Sequence, residues 1–176
     1  ADMRTKGYEL SVAWRDQFKL GNKPFSYQLS FTFSDYISEI TKFDNPDKLL
    51  AKTYYEGMRI GEIWGYVTDR FYREDDFNAD GTLKEGIPIP KGVGKVYPGD
   101  ILYKNFDDDA STIWSGKGTA DDPGDQRIIG NSTPRFHYGI NAGLSWKGFD
   151  LSVFLRGVGK RDFWRTDQIA WPTGTW

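Results

Sequence analysis

Three oxygen-bearing side chains stand at alternate positions in the segment DFNADGTL, residues 76–83. Asp76, Asn78 and Asp80 precede Gly81 with the spacing of the first half of an EF-hand calcium loop, in which the chain bends at the glycine so that the oxygens converge. The acidic residue expected at the twelfth position of such a loop is replaced by Ile87. Since Asp, Asn and Gly are also common in plain turns, the segment is consistent with a calcium site or a turn.

Residues for catalysis are scarce in this chain. It has no Cys and one imidazole, His137, which lies on the polar side of an alternating segment and has no Ser or Cys nucleophile at a recognisable elbow. Among the 25 acidic residues, no spacing favours one pair for sugar hydrolysis. We therefore predict that the protein is not an enzyme and needs no cofactor, apart from a possible calcium ion.

Aromatic residues are concentrated in the middle of the chain and could bind a ligand. Trp64, Tyr66 and Trp114 could stack on sugar rings or on apolar peptide side chains, with Phe71 and Tyr72 nearby. The same rings could instead form a small core for the segment that carries them. We take Trp64, Tyr66 and Trp114 as candidate substrate-binding residues.

The charges of the chain nearly cancel, with 23 basic and 25 acidic residues and a net charge of −2. Such a balance gives no electrostatic reason to expect nucleic acid or an anionic membrane surface as a partner. The longest apolar runs, such as LSVFL at 151–155, fall far short of the ~20 residues that a membrane-spanning helix needs.

Four segments alternate between apolar and polar residues with period two, which predicts strands with two different faces. In FSYQLSFTFS, residues 25–34, every odd position is apolar or aromatic and every even one is an uncharged polar residue. The apolar positions of the other three segments are Tyr8, Leu10, Val12 and Trp14; Phe136, Tyr138, Ile140, Ala142, Leu144 and Trp146; and Phe149, Leu151, Val153 and Leu155. Phe154 is the exception, because it is an apolar residue at a polar position of the last segment.

Short turns and one long connection link these strands. Tight turns are predicted at 19–24 and 147–148, whereas 35–133 separates the two pairs and is rich in Gly, Pro and Asp. Within it, residues 52–72 suggest one or two further strands, and 46–57 could begin as a short helix.

Two environments suit such strands. A soluble antiparallel sheet turns its apolar side to a protein core, as in a secreted β-sandwich that binds carbohydrate. An outer-membrane barrel turns it to lipid, and runs of about ten residues, tilted by ~45°, cover ~24 Å of its ~25 Å apolar band. Short turns alternating with long loops favour the barrel. Its lumen would be lined in part by Ser26, Gln28, Ser30, Asn141, Ser145 and Arg156.

Several segments resemble, in order, the C-terminal part of SusC/RagA-type TonB-linked outer-membrane proteins. These segments are GYELSVAWRD, FSYQLSFTFSD, RIGEIWGYVTDRFY, YPGDILYKNFDDD and DQRIIGNSTPRFHYGINAGLSWKGFDLSVFLRGVGKRDFW. The resemblance covers nearly the whole chain, and the run from Gly99 to Trp164 is its most specific part.

The resemblance implies that residues 1–176 are part of a 22-stranded barrel in the outer membrane of a Bacteroidetes-type bacterium. Such a transporter imports glycan or peptide fragments with a SusD-like lipoprotein and is energised by TonB. Residues 35–133 would then form an extracellular loop, and the short turns would face the periplasm. Because the plug and TonB-box regions are not among the matching segments, we expect the chain to be an internal piece of a longer protein.

A second acidic segment, KNFDDDAS at 104–111, falls where members of that family often show a calcium-like pattern. Asn105, Asp107 and Asp109 keep the oxygen spacing, but Ala110 replaces the glycine. This departure favours a solvated acidic loop over a cation site.

Overall fold

A computed structural model describes residues 1–106 and 112–164 as strands joined by turns. No α-helix occurs in these two ranges, where the single helical element is a 3-10 turn at Glu74–Asp76. The strands are β1 Asp2–Leu20, β2 Lys23–Lys42, β3 Glu62–Tyr66, β4 Thr68–Phe71, β5 Ile89–Pro90, β6 Ile101–Tyr103, β7 Thr112–Ile113, β8 Gln126–Asn131, β9 Arg135–Trp146 and β10 Phe149–Lys160.

The four long strands form one sheet in the order β1-β2-β9-β10, and the short strands form three two-stranded sheets, β3-β8, β4-β6 and β5-β7. β9 pairs antiparallel with both β2 and β10, whereas β5 and β7 pair in parallel. The prediction of an all-β, mainly antiparallel structure is confirmed. The described strands form open sheets and no closed barrel.

Two-residue turns close the hairpins of this sheet, as predicted from the sequence. Gly21 and Asn22 connect β1 to β2, and Gly21 has a φ of 63°. Lys147 and Gly148 connect β9 to β10 with φ angles of 51° and 85°, the left-handed conformation that a tight hairpin turn requires at both positions.

The register joins the four alternating segments into one sheet with two distinct faces. Across β2, β9 and β10, apolar residues pair with apolar residues, as in Leu29, Ala142 and Val153. Polar or small residues pair on the opposite face, as in Ser26 with Ser145 and Ser30 with Asn141. Because the side-chain period of a strand is two, one register places every apolar residue of a strand on the same side.

Glycine allows one close contact on the apolar face. Gly157 of β10 pairs with Tyr138 of β9, and a Cβ atom on Gly157 would overlap the Tyr138 ring. The ring therefore covers the bare backbone of the neighbouring strand, an arrangement known to support glycines in exposed strands.

The described chain divides into two compact units. The sheet unit contains Met3–Glu39, Arg59–Gly61 and residues 131–164; the loop unit contains Ala1–Asp2, Ile40–Met58 and Glu62–Gly130. The ladder between β2 and β9 brings together the two sides of the predicted insertion 35–133, although β2 itself continues to Lys42. That this insertion is extracellular stays a prediction.

The middle of the chain contains strands where they were predicted, but the predicted helix is wrong. β3 and β4 lie within residues 52–72, whereas residues 46–57 contain only turns and an isolated bridge at Leu49. The buried side chain of Asn45 accepts the Leu49 N–H at 3.0 Å and donates to the carbonyls of Leu49 and Tyr54. These bonds replace those of a helical turn.

The loop unit has a small apolar core of its own. Tyr72, Val96 and Leu102 are buried together, and the Tyr72 hydroxyl donates to the Pro88 carbonyl at 2.6 Å. Phe77, Leu83, Ile87 and Ile89 pack around them. In the ranges that the structure covers, no helix has the length and apolar character to cross a membrane.

Candidate functional site

The apolar face of the sheet is exposed along all four strands. Leu29 on β2 is 50% exposed and Leu151 on β10 is 54% exposed, although both stand near the middle of long strands. Tyr8, Leu10, Val12 and Trp14 continue the exposed row on β1. Contiguous apolar surface of this kind marks a contact with a membrane or another macromolecule.

Aromatic rings gather at both ends of this apolar row. Near the tight turns, the ring centroids of Phe18 and Phe25 are 5.1 Å apart. At the other end, Phe33 lies 6.0 Å from Tyr8 and 6.4 Å from Phe136. Two aromatic bands that flank an apolar stretch are typical of strands that cross a bilayer.

The opposite face combines small and uncharged polar residues with a few charges. Arg15 donates to the side-chain oxygen of Gln28 at 3.3 Å, and a cavity of about 390 Å³ beside them is lined also by Ser26, Ser145 and Asp150. A second cavity of about 600 Å³ includes the predicted polar residues His137 and Arg156. Phe154, 63% exposed, lines this cavity as the one large ring on the polar face of β10.

Asp76 is held within the loop unit by an ion pair. Its carboxylate accepts two hydrogen bonds from the Arg70 guanidinium, at 2.5 and 2.8 Å, and one from the Arg73 N–H at 2.8 Å. The hydrogen bonds from Arg70 lower the pKa of Asp76 to about 2. Asp76 therefore stays ionised across the physiological pH range.

The other two candidate calcium ligands have different partners. Asn78 Nδ2 donates to the Thr82 hydroxyl at 3.0 Å, and Asp80 Oδ1 accepts the Thr82 N–H at 3.0 Å and its hydroxyl at 2.6 Å. The bonds from Thr82 lower the pKa of Asp80. No group of three or more acidic or histidine side chains in residues 1–106 and 112–164 is arranged to hold a metal ion.

Calcium binding by this turn stays a prediction, and thermal unfolding of the protein can test it. If Asp76, Asn78 and Asp80 bind calcium, the ion will raise the thermal midpoint of the wild-type protein, and Asp80→Ala will abolish that increase. Glu85→Ala, which removes an exposed acid from the same segment, is the matched control. Equal midpoints of the wild type with and without calcium would identify a plain turn.

The three candidate substrate-binding aromatics have separate neighbours in the loop unit. Trp64 and Tyr66 both lie on β3; the Trp64 indole nitrogen is buried, and the Tyr66 ring lies 5.6 Å from that of Tyr103. Burial raises the pKa of Tyr66. Trp114 is half-buried, with the Lys91 ammonium 4.3 Å from its ring centre. Their role in ligand binding stays a prediction.

The second acidic segment falls mainly outside the described residues. Asp107 and Asp109 lie in the range 107–111, so the prediction of a solvated loop is not tested there. Asn105 is described and lies, half-buried, two positions after β6.

Comparison with known proteins finds a TonB-dependent receptor. The chain is 27% identical over 167 residues to the TonB-dependent receptor P3 of Formosa agariphila, a match that covers 88% of this chain and 15% of that receptor. This similarity supports the TonB-dependent receptor family. The chain spans about 15% of the relative's length, and no protein-family model matches it.

Two buried carboxylates that organise the structure were not recognised in the sequence. In the sheet unit, Asp35 accepts hydrogen bonds from Nε and Nη2 of Arg135, both at 2.5 Å. Phe136, next to Arg135, has a φ of 59°, which is rare for an aromatic residue, and its N–H also donates to Asp35. The residues next to Asp35 and Arg135 in the sequence give no local signal for a pairing partner a hundred residues away.

In the loop unit, Asp125 is fully buried and joins two segments. It accepts the N–H groups of Phe106 and Trp114 at 2.5 and 3.0 Å, while its own N–H donates to the Trp114 carbonyl at 2.8 Å. Beside it, Gly116 and Gly124 approach so closely that a Cβ atom on either would overlap backbone atoms of the other. Asp125 thereby fixes the backbone of the candidate residue Trp114.

Proposed function

We propose that this chain forms part of the wall of a SusC-like, TonB-dependent transporter in the outer membrane, and that it works without catalysis. The observation that carries the proposal is the exposed apolar face of the four-stranded sheet opposite a face rich in Ser, Gly and Asn. Similarity to a TonB-dependent receptor supports the same transport role. In a barrel wall, the apolar face meets lipid and the polar face meets the aqueous lumen.

The length of the apolar face fits a bilayer. At ~3.4 Å per residue and a tilt of ~45°, the stretch of β9 from Phe136 to Trp146 spans ~24 Å, close to the ~25 Å apolar band of outer-membrane barrels. The aromatic groups at both ends then lie at the two interfaces, where outer-membrane barrels carry girdles of aromatic residues. The full barrel would contain 22 strands, of which this sheet supplies four.

The transport cycle in this proposal uses the two units differently. The loop unit, as an extracellular insertion, faces arriving glycan or peptide fragments and a SusD-like lipoprotein. The polar face, including Ser26, Gln28 and Asn141, lines the path that cargo follows once TonB supplies energy. No step makes or breaks a covalent bond, so the single imidazole of His137 has no catalytic part.

Spin labels on adjacent residues of β2 test the proposed membrane orientation. Because the chain has no Cys, Leu29→Cys and Ser30→Cys each provide one labelling site, on opposite faces of the same strand. In lipid, we expect the label at Leu29 to collide with molecular oxygen and to be shielded from a water-soluble nickel chelate, and the label at Ser30 to show more nickel contact. A Leu29 label shielded from both reagents would instead indicate a closed protein core, as in a soluble β-sandwich.

Of the two candidate tryptophans, Trp114 is the one to test for contact with cargo, because it is partly exposed beside the Lys91 ammonium, whereas the indole nitrogen of Trp64 is buried. We expect Trp114→Ala to weaken binding of the transported oligosaccharide or peptide at least about tenfold, the effect of removing a central aromatic contact. Trp64→Ala should mainly reduce stability, because the Trp64 indole nitrogen is buried. Binding can be measured by calorimetry with fragment libraries.

Tyr97→Ala is the matched control for Trp114→Ala. Tyr97 is an exposed ring of the same unit with the Lys95 ammonium 5.1 Å away. Tyr97→Ala should bind cargo as the wild type does, and equal binding by Trp114→Ala would show that Trp114 does not contact cargo.

A further inference from the structure

The face of the sheet that carries the apolar row continues beyond it as a charged surface. Tyr8, Phe33 and Phe136 form the last aromatic group of the row. Past them, the same alternation places Lys6 and Arg4 on β1 and Asp35 and Glu39 on β2. On β1 and β2, the apolar surface therefore changes to a charged one within two residues of the last aromatic ring.

A groove of about 520 Å³ lies on this charged surface, within the sheet unit. Its lining combines the ends of β1, β2 and β9 with residue Arg59, which bridges to Glu39 through the backbone. The charged residues of the lining are Arg4, Lys6, Asp35, Glu39, Arg59 and Arg135. Tyr8 and Phe136 form its boundary with the apolar row.

The charges in this groove do not cancel. Arg135 and Asp35 neutralise each other in a buried pair with two hydrogen bonds. Arg4 lies 3.9 Å from Glu39, with the two side chains 59% and 43% exposed, so that solvent weakens their attraction. Even without Arg59, the three cations Arg4, Lys6 and Arg135 face two carboxylates, so the groove carries an excess of positive charge although the chain as a whole has a net charge of −2.

We propose that this groove, here called the cationic groove, binds the phosphate-bearing headgroup of an anionic lipid whose acyl chains lie along the adjacent apolar row. The inference rests on the membrane orientation proposed above. Lys6 and Arg4 supply donors of the kind that bind phosphate, and the aromatic rings of Tyr8 and Phe136 lie at the level where headgroup and acyl chain meet. Charge complementarity and continuity with the apolar row favour a lipid over a soluble anion or an acidic protein.

The test compares lipid retention in bilayer discs of two compositions. The complete transporter that contains this chain is reconstituted in phosphatidylcholine alone or with a minor fraction of phosphatidic acid, and the lipids retained after delipidation in neutral detergent are counted by native mass spectrometry. We expect selective retention of phosphatidic acid. In the variant carrying both Arg4→Gln and Lys6→Gln, retention should fall roughly tenfold to thirtyfold. Each basic residue near a membrane surface strengthens binding to anionic lipid by about three- to fivefold, and the variant lacks two of them.

The matched control carries Arg15→Gln and Arg156→Gln, which remove two cations from the opposite face of the same sheet. This control should retain phosphatidic acid as the wild type does. Equal retention by the wild type and the variant with Arg4→Gln and Lys6→Gln would overturn the proposal. Displacement of the lipid by inorganic phosphate at equal concentration would overturn it too, because the groove would then be a site for soluble phosphate.

Failure of this inference is distinguishable from failure of the transporter proposal. If the protein enters both kinds of disc but shows no preference for phosphatidic acid, the groove does not bind lipid phosphate and the membrane orientation stands. If the complete transporter that contains this chain enters neither kind of disc, both proposals are wrong. Near-native thermal midpoints of the variants would show that altered retention reflects the groove and not misfolding.

Discussion

Val153→Arg is expected to weaken stable membrane insertion of the complete transporter proposed above. Val153 lies in the middle of β10, on the apolar face, and pairs with Ala142 of β9. If this face meets lipid, an arginine there places a guanidinium near the bilayer midplane, which costs about 2–4 kcal/mol in outer-membrane barrels. The measurement is the fraction of protein that remains in the membrane after urea extraction.

The adjacent residue provides the control for this experiment. Ser152 precedes Val153 on β10 but lies on the polar face, where it pairs with Gly143. Ser152→Arg introduces the same side chain into the proposed lumen and should leave insertion near the wild-type level. Equal insertion by Val153→Arg and Ser152→Arg would contradict the assignment of the apolar face to lipid.

Asp125→Ala is expected to destabilise the loop unit by about 2–5 kcal/mol. The carboxylate of Asp125 is fully buried and accepts the N–H groups of Phe106 and Trp114, so its removal takes this acceptor away from two backbone donors. Each unsatisfied buried group costs about 1–3 kcal/mol. Limited proteolysis measures the effect, because trypsin can cleave after Lys104, Lys117 and Arg127 once this region opens.

Two further variants make the proteolysis result specific. Asp125→Asn keeps one acceptor oxygen, so we expect trypsin to cleave this variant more slowly than Asp125→Ala. Glu85→Ala removes an exposed carboxylate of the same unit and should be cleaved at the wild-type rate. If Asp125→Ala were as resistant as the wild type, the two hydrogen bonds would contribute little to the stability of this region.

The main features of the sheet unit are predictable because they are periodic or local. The alternation in residues 25–34 predicts both the strand and its apolar face, since neighbouring side chains of a strand point to opposite sides. The turn at Lys147 and Gly148 is predictable because a two-residue connection between alternating segments requires the left-handed backbone observed there. These features need no knowledge of distant contacts.

Features that depend on distant partners are not predictable in this way. Asp35 and Arg135 are a hundred residues apart and meet because β2 and β9 are neighbours in the sheet. Asp125 resembles any other acid of a Gly- and Asp-rich segment until the fold buries it. The helix predicted at 46–57 fails for a related reason, because the Asn45 side chain takes the hydrogen bonds that a helical turn would make.

The exposure of the apolar face distinguishes a soluble β-sandwich from the wall of a membrane barrel. In a soluble β-sandwich, residues such as Leu29 and Leu151 are covered by a second sheet, whereas here both are about half exposed. The polar face is also unlike the outer surface of a soluble sheet, because Ser, Gly and Asn predominate there over Lys and Glu. Both observations favour the membrane environment.

The two-residue turns also have a consequence for the order of folding. β9 and β10 are joined directly at Lys147 and Gly148. Their backbone hydrogen bonds can therefore form one after another from the turn, with almost no chain entropy lost to loop closure. The ladder between β2 and β9 must instead enclose the whole loop unit, and contacts of such high sequence separation form slowly. We therefore expect two preformed hairpins whose docking, through β2 and β9, is the slow step on the way to the native sheet.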